Sequence, residues 1–244
     1  DKGFRGLIIK NSCDKIEVLE EKIVAQAGAV LQDVIDTAYE NSLAGFEFST
    51  GIKGSLGGAV YGNAGAFGHA IGEILSGAVL FNPDGELKVV GRDYFDFVYR
   101  GSKLKQTGEI VLSATFQLQK VNKEEIKNKM DEIMDLRNTK HPDKEGSAGC
   151  FFKNVKLDKW PNYPKDLPPL FIERGTVPVG WLVDQVGVKG LEIGGASISD
   201  MHCNFVVNKN NASQADVLAV VEEVKARVYN KFKVELEAEV EIVV

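Results

Sequence analysis

Residues Gly51 to Gly68 read GIKGSLGGAVYGNAGAFG, and seven of these eighteen residues are glycine: Gly51, Gly54, Gly57, Gly58, Gly62, Gly65 and Gly68. Such a run costs backbone entropy on folding, so it needs a reason. Either the chain takes φ > 0 at several places, or the backbone comes within touching distance of a ligand. Bare N–H groups in such a loop can wrap an anion such as a pyrophosphate. No Lys-Ser or Lys-Thr pair follows the last glycine, as a G-x-x-x-x-G-K-[ST] phosphate loop requires. The G-x-G-x-x-G dinucleotide fingerprint needs a helix next, and Ala59 to Ala66 (AVYGNAGA) is a poor helix start. The loop is therefore expected to hold a nucleotide-like cofactor in another fold. The competing reading is a glycine-rich surface loop packed on itself.

Short β segments precede the loop: LIIK from Leu7, KIEVLE from Lys15 and KIVAQA from Lys22. Val30 to Ser42 reads as an amphipathic helix, with Val30, Val34 and Ala38 on one stripe and Leu31 and Ile35 beside it. After the loop, Ile74 to Phe81 and Glu86 to Val90 form two arms around the turn Asn82-Pro83-Asp84-Gly85. Glu109 to Gln119 alternates like another strand. At Asn122 the character changes to a highly charged helix ending near Arg137. The domain boundary is set there, giving residues 1–121 and 122–244. The second part holds a proline-rich loop (Trp160 to Pro169), a short helix from Pro178, a helix opened by Ser213 and Asp216, and a closing strand from Val234 to Val243. The pattern is α+β.

The chain has 244 residues, 44% apolar and 26% charged, which suits a soluble globular protein. No apolar run approaches the ~20 residues that span a bilayer. A net charge of −6 gives no global basic field for nucleic acid. Three widely spaced cysteines argue against a disulfide framework and for a reducing cytoplasm. No metal site, nucleic acid or membrane partner is expected. The start at Asp1 suggests that an upstream segment is missing.

Three more stretches look chemical: Tyr99 to Ser102 (YRGS), Gly146 to Asn154 (GSAGCFFKN) and Val234 to Val240 (VELEAEV). Singly they have bland readings: Arg100 a surface arginine, Cys150 a core thiol, Glu239 one of several solvated carboxylates. Glu235, Glu237, Glu239 and Glu241 share one face, so cations or a ligand should relieve their repulsion.

With the glycine loop, these stretches resemble one family, the UDP-N-acetylenolpyruvoylglucosamine reductases (UDP-N-acetylmuramate dehydrogenases) of bacterial cell-wall synthesis. The family loop G-I-P-G-S-x-G-G-A-x-x-x-N-A-G-A-[YF]-G is matched by GIKGSLGGAVYGNAGAFG. Its Y-R-x-S is matched by Tyr99 to Ser102, its G-S-x-F-K-N by Gly149 to Asn154, and its L-E-P-E-V by Leu236 to Val240. WLVDQVGVKG (Trp181 to Gly190) and IGGASISDMHCNFVVN (Ile193 to Asn208) also fit in order.

The resemblance implies a truncated FAD-binding domain of the vanillyl-alcohol-oxidase/PCMH type, followed by a smaller α+β substrate-binding domain. It implies FAD and NADPH as cofactors, a UDP-sugar substrate, a monomer, and a bacterial cytoplasmic enzyme. Hydride would pass from reduced FAD to the β-carbon of an enolpyruvyl ether, and a proton from Cys150 to the α-carbon. The implied catalytic residues are Arg100, Cys150 and Glu239. The implied cofactor contacts are Gly51, Gly54, Ser55, Gly57, Gly58, Ala59, Asn63, Ala64, Gly65 and Tyr99. Ser102, Lys153, Asn154, Lys189 and Asn204 are implied substrate contacts.

The chain departs from the family at Cys150 (usually serine), Lys53 (usually proline) and Thr176 (usually lysine, with Lys153 or Arg174 as substitutes). The family's N-T-[FW] and G-G-G-S-N stretches, normally upstream of Asp1, are absent. Two other readings stand beside the enzyme: a non-catalytic UDP-sugar or flavin-binding paralogue, and another flavin oxidoreductase sharing the cofactor domain.

Overall fold

The computed structural model describes residues 3–142 and 144–243. The chain forms two compact units. The first is Leu7–Arg137; the second covers residues 138–243 and takes in residues 3–6. This division falls in the last turn of a charged helix (Lys123–Lys140), at its far end from Asn122.

Five antiparallel strands make the sheet of the first unit: β1 (Ile16–Leu19), β2 (Lys22–Gln26), β3 (Leu75–Phe81), β4 (Leu87–Gly91) and β5 (Ile110–Gln117), in the order β1-β2-β5-β3-β4. The β3–β4 turn is the expected one, with Gly85 at φ 88° and Asn82 exchanging hydrogen bonds with Glu86. Helix α1 (Leu31–Glu40) buries Leu31, Val34, Ile35 and Ala38 in a core shared with Ile23, Ala25, Phe46 and Phe116. Val30 lies outside that stripe, as the exposed N-cap. The strand expected over LIIK does not form: residues 7–10 have no ladder partner among the described residues, and Leu7, Ile8 and Ile9 are 83%, 75% and 83% exposed. Apolar content alone makes no strand without a neighbour to take its N–H and C=O groups.

The second unit has its own core. Its sheet contains β6 (Gly146–Cys150), β7 (Glu192–Ile193), β8 (Ala196–Ile198) and β9 (Phe205–Asn208), ordered β6-β9-β8-β7 and antiparallel. The Ser213 and Asp216 start signal is a formed capping box. It opens the helix Gln214–Phe232, which buries Val220, Val221, Val224 and Val228. The closing strand is corrected. Along residues 234–237 Val234 and Leu236 are buried and Glu235 and Glu237 exposed, but the chain bends at Glu239 and Val240, and among the described residues the bridge of this segment is Phe152↔Ala238. Alternation fixed the two faces; the ladder a full strand requires is missing.

A polar cluster lies inside the first unit. The Glu109 side chain is 5% exposed and accepts hydrogen bonds from Thr107 (2.7 Å) and Tyr94 (2.8 Å), with Lys88 at 3.6 Å. Burial pushes this carboxyl up, but the Thr107 and Tyr94 hydrogen bonds and the Lys88 charge more than offset it, so it sits below its ordinary value. A depressed carboxyl contributes stability above the unfolded value, and that contribution is lost as pH falls through the folded one. Glu109→Gln is therefore expected to cost about 1–3 kcal/mol at neutral pH. The difference from the parent should shrink as pH drops below the ordinary carboxyl value of 4.5. Denaturant titrations of both proteins across that range check it.

Candidate functional site

The glycine-rich stretch folds around a short helix, α2 (Leu56–Tyr61), which starts ahead of Ala59 and ends before Gly62, so Ala59 to Ala66 start no helix of their own. Ser55 caps it, its Oγ accepting from Gly58 N–H at 3.3 Å, and Leu56 and Val60 are fully buried. Cap and burial together outweigh the ~1 kcal/mol that each helical glycine costs. Gly57 is glycine because a Cβ there would lie 2.8 Å from the Ala27 Cβ. Gly65 is crowded by the His69 carbonyl in a tight hairpin. Gly51 packs against the Arg137 side chain.

Gly54 is different. It has φ 140°, and outside its chain neighbours no atom lies within 4 Å of where its Cβ would stand, as is also the case at Gly68. Among the described residues, Lys53, Gly54 and Ser55 are exposed and their N–H groups donate to no protein group. Consecutive N–H groups that converge on one point form an anion-binding concavity. That donor set fits a pyrophosphate such as that of FAD, and Lys53, unlike a proline, supplies one more N–H.

The YRGS stretch is tied to this loop. Residues 98–101 close a tight turn in which Arg100 has φ 57°. Asn63 holds it: its Nδ2 donates to the Val98 carbonyl (2.9 Å) while its Oδ1 accepts from Gly72 N–H (3.0 Å). Arg100 Nη1 donates to the Gly65 carbonyl (2.7 Å), and its guanidinium lies 5.2 Å from the Tyr99 ring centroid. Buried Ser102 donates to the Tyr61 carbonyl at 2.7 Å. Ala59 is buried beside the loop, and Ala64 N–H returns to its carbonyl.

In the second unit, Cys150 ends β6, where the β6–β9 register shifts between Ser147 and Cys150. The next residue, Phe151, donates to the Asn204 carbonyl (2.7 Å) and accepts from Glu239 N–H (2.8 Å). Cys150 and Glu239 are thus held beside the same residue. Lys153 pairs with Glu237 through both backbone and side chain, the relief expected for the crowded carboxylates. Asn154 Oδ1 accepts from Val179 N–H at the start of the helix Val179–Asp184. Lys189 lies 3.0 Å from Asp184, whose carboxyl also accepts from the Cys203 thiol at 3.4 Å. The Lys189 and then the Cys203 hydrogen bonds hold Asp184 below its ordinary value. Burial, reinforced by Asp184, pushes the Cys203 thiol up to about 11.

Residues 141–243 match the model of the UDP-N-acetylenolpyruvoylglucosamine reductase C-terminal domain, and residues 1–91 that of an FAD binding domain. A UDP-N-acetylenolpyruvoylglucosamine reductase of Solibacter usitatus is 37% identical over all of this chain and 78% of its own length. The one from Agathobacter rectalis is 40% identical, over all of this chain and 76% of its own length. The chain belongs to the UDP-N-acetylenolpyruvoylglucosamine reductase family. The crystal structure of the Thermus caldophilus reductase superposes with a TM-score of 0.72 at 34% identity, covering 89% of this chain and 71% of that one. As a member of this family the chain is an FAD-dependent oxidoreductase.

The contacts sort the residues that the motifs singled out. The glycine loop, Tyr99, Arg100 and Ser102 form one connected set in the first unit. Cys150, Lys153, Asn204 and Glu239 form another in the second. The sequence reading missed Asn63 as the tie to the Arg100 turn, and it missed the Asp184–Cys203 pair. A polar residue inside an otherwise apolar or glycine run was the available signal for both.

The three cysteines should separate by reactivity, since thiolate is the reactive form. Iodoacetamide near neutral pH is expected to label exposed Cys13 readily and leave Cys203 unlabelled until denaturant is added. Peptide mass spectrometry over a time course provides the readout.

Proposed function

We propose that this chain reduces UDP-N-acetylglucosamine enolpyruvate to UDP-N-acetylmuramate, with NADPH as electron donor, in bacterial cytoplasmic peptidoglycan-precursor synthesis. The observation that carries this reading is the tie of Cys150 and Glu239, far apart in sequence, to one residue, Phe151, in a chain of this family. FAD, when bound, supplies the two-electron path from NADPH to the substrate's carbon–carbon double bond. The open amides of Lys53, Gly54 and Ser55 would hold its pyrophosphate.

The remaining chemistry belongs to the side chains. Hydride addition to the β-carbon drives charge onto the enolpyruvyl carboxylate. Arg100 is the cation suited to that charge, since a guanidinium offers a carboxylate a planar fork of donors. One of its N–H groups is fixed on the Gly65 carbonyl, which orients the guanidinium before substrate arrives. Preorganised stabilisation of this kind is usually the largest single catalytic contribution. Cys150 gives its proton to the α-carbon, whose electron pair forms the new C–H bond and leaves a thiolate. A thiol, with an unperturbed pKa of ~8.5, is a far stronger acid than the serine hydroxyl usual in the family. Glu239, tied to the Phe151 carbonyl beside Cys150, is the third catalytic group of this reading. Lys189 meets the diphosphate as a point charge, which requires it to leave or share Asp184. Lys153, Asn154 and Ser102 complete the substrate contacts, and the enzyme acts as a monomer.

The holoenzyme is expected to be yellow, to bleach under NADPH without oxygen, and to regain colour when the enolpyruvyl UDP-sugar is added. Persistent oxidised colour under NADPH would favour a non-catalytic binding protein instead. Cys150→Ala should leave bleaching unchanged and slow recolouring by roughly 100- to 10,000-fold, the range of general acid catalysis. Stopped-flow absorbance of the two half-reactions tests this. An equal loss in both would remove Cys150 from the proton-donor role.

A further inference from the structure

The β6–β9 ladder is irregular near Cys150, and the chain beyond it enters the core: Phe152 is 1% exposed. Its N–H and C=O therefore need protein partners. A single side chain supplies both. Phe152 N–H donates to Asn204 Oδ1 at 2.9 Å, and Asn204 Nδ2 donates to the Phe152 carbonyl at 2.8 Å. The Asn204 carbonyl takes the neighbouring Phe151 N–H at 2.7 Å. The asparagine thus acts as a strand partner where the ladder is irregular.

The far edge of the same segment carries Glu239. Glu239 N–H donates to the Phe151 carbonyl, Phe152 bridges Ala238, and Lys153 N–H donates to the Glu237 carbonyl. Residues 151–153 lie between Asn204 on one side and residues 237–239 on the other. Asn204 is itself 3% exposed, and its own N–H donates to His202 Nδ1 at 3.1 Å. Both ends of its side-chain amide face Phe152. A direct contact to the UDP-sugar, as the family resemblance implied, would require it to abandon a buried peptide.

We propose that Asn204 is a positioning residue for the reduction, fixing the Phe151–Phe152 peptide so that Cys150 and Glu239 are presented in register. The inference rests on the roles proposed above for those two residues. Removing the amide leaves both side chains in place but lets the peptide between them shift. A displacement of about 1 Å at a reacting group can cost on the order of a hundredfold in rate.

Asn204→Ala and Asn204→Asp test this in the FAD-loaded protein. The aspartate keeps the acceptor for Phe152 N–H and loses the donor to its carbonyl, and it carries the test if the alanine variant does not fold. Steady-state kinetics should show kcat for the enolpyruvyl UDP-sugar falling about a hundredfold with KM nearly unchanged, and NADPH bleaching at the parent rate. Hydrogen exchange, which needs no turnover, should accelerate at residues 151–153 and 239 and not in the helix Gln214–Phe232. A raised KM with kcat intact would overturn the proposal in favour of a substrate contact, as would unchanged exchange at residues 151–153. A parent protein inactive on the sugar would sink the functional reading alone, and the exchange pattern would still decide whether Asn204 holds the peptide.

Discussion

A buried peptide group must be hydrogen-bonded, and at two decisive places in this protein an asparagine amide meets that demand. A buried donor or acceptor left alone costs about 1–3 kcal/mol. Asn204 closes on Phe152 where the β6–β9 ladder is irregular, and Asn63 joins the Val98 carbonyl to the Gly72 amide beside the glycine loop. Asparagine suits both tasks because its side chain carries the donor and acceptor of a peptide bond. It copies a missing strand or turn without adding backbone.

Each amide sits between a packed core and a segment to which a functional role is proposed above. In the first unit, Leu56 and Val60 seat α2 in the sheet-and-helix core, and the open backbone at Gly54 lies just ahead of it. In the second, Phe152 and Leu236 belong to the core while their neighbours Cys150 and Glu239 are half-buried. Irregular backbone held by a packed scaffold is the usual carrier of function.

Much of this was legible in the sequence. The Asn82–Gly85 turn, α1 and the Ser213 cap were readable because each is set by local chemistry. The family was readable because six motifs, the glycine loop among them, occur in the family's order along the chain. Other features depend on contacts that no local pattern encodes. LIIK has strand composition but no neighbour. ELEAEVEI has strand alternation but a single bridge. The helix inside GSLGGAVY forms because burial of two residues overrides poor propensity. Asn204 reads as a binding residue by motif, and only its two bonds to Phe152 reveal a structural task.

The uncovered Leu7-Ile8-Ile9 segment has a practical corollary. Exposed and, among the described residues, without a ladder partner, Leu7 and the β-branched Ile8 and Ile9 offer backbone donors and acceptors for edge-to-edge association. Arg5 and Lys10 flank it, and flanking charges of this kind act as gatekeepers that slow such stacking by mutual repulsion. Their protection fades as salt screens them.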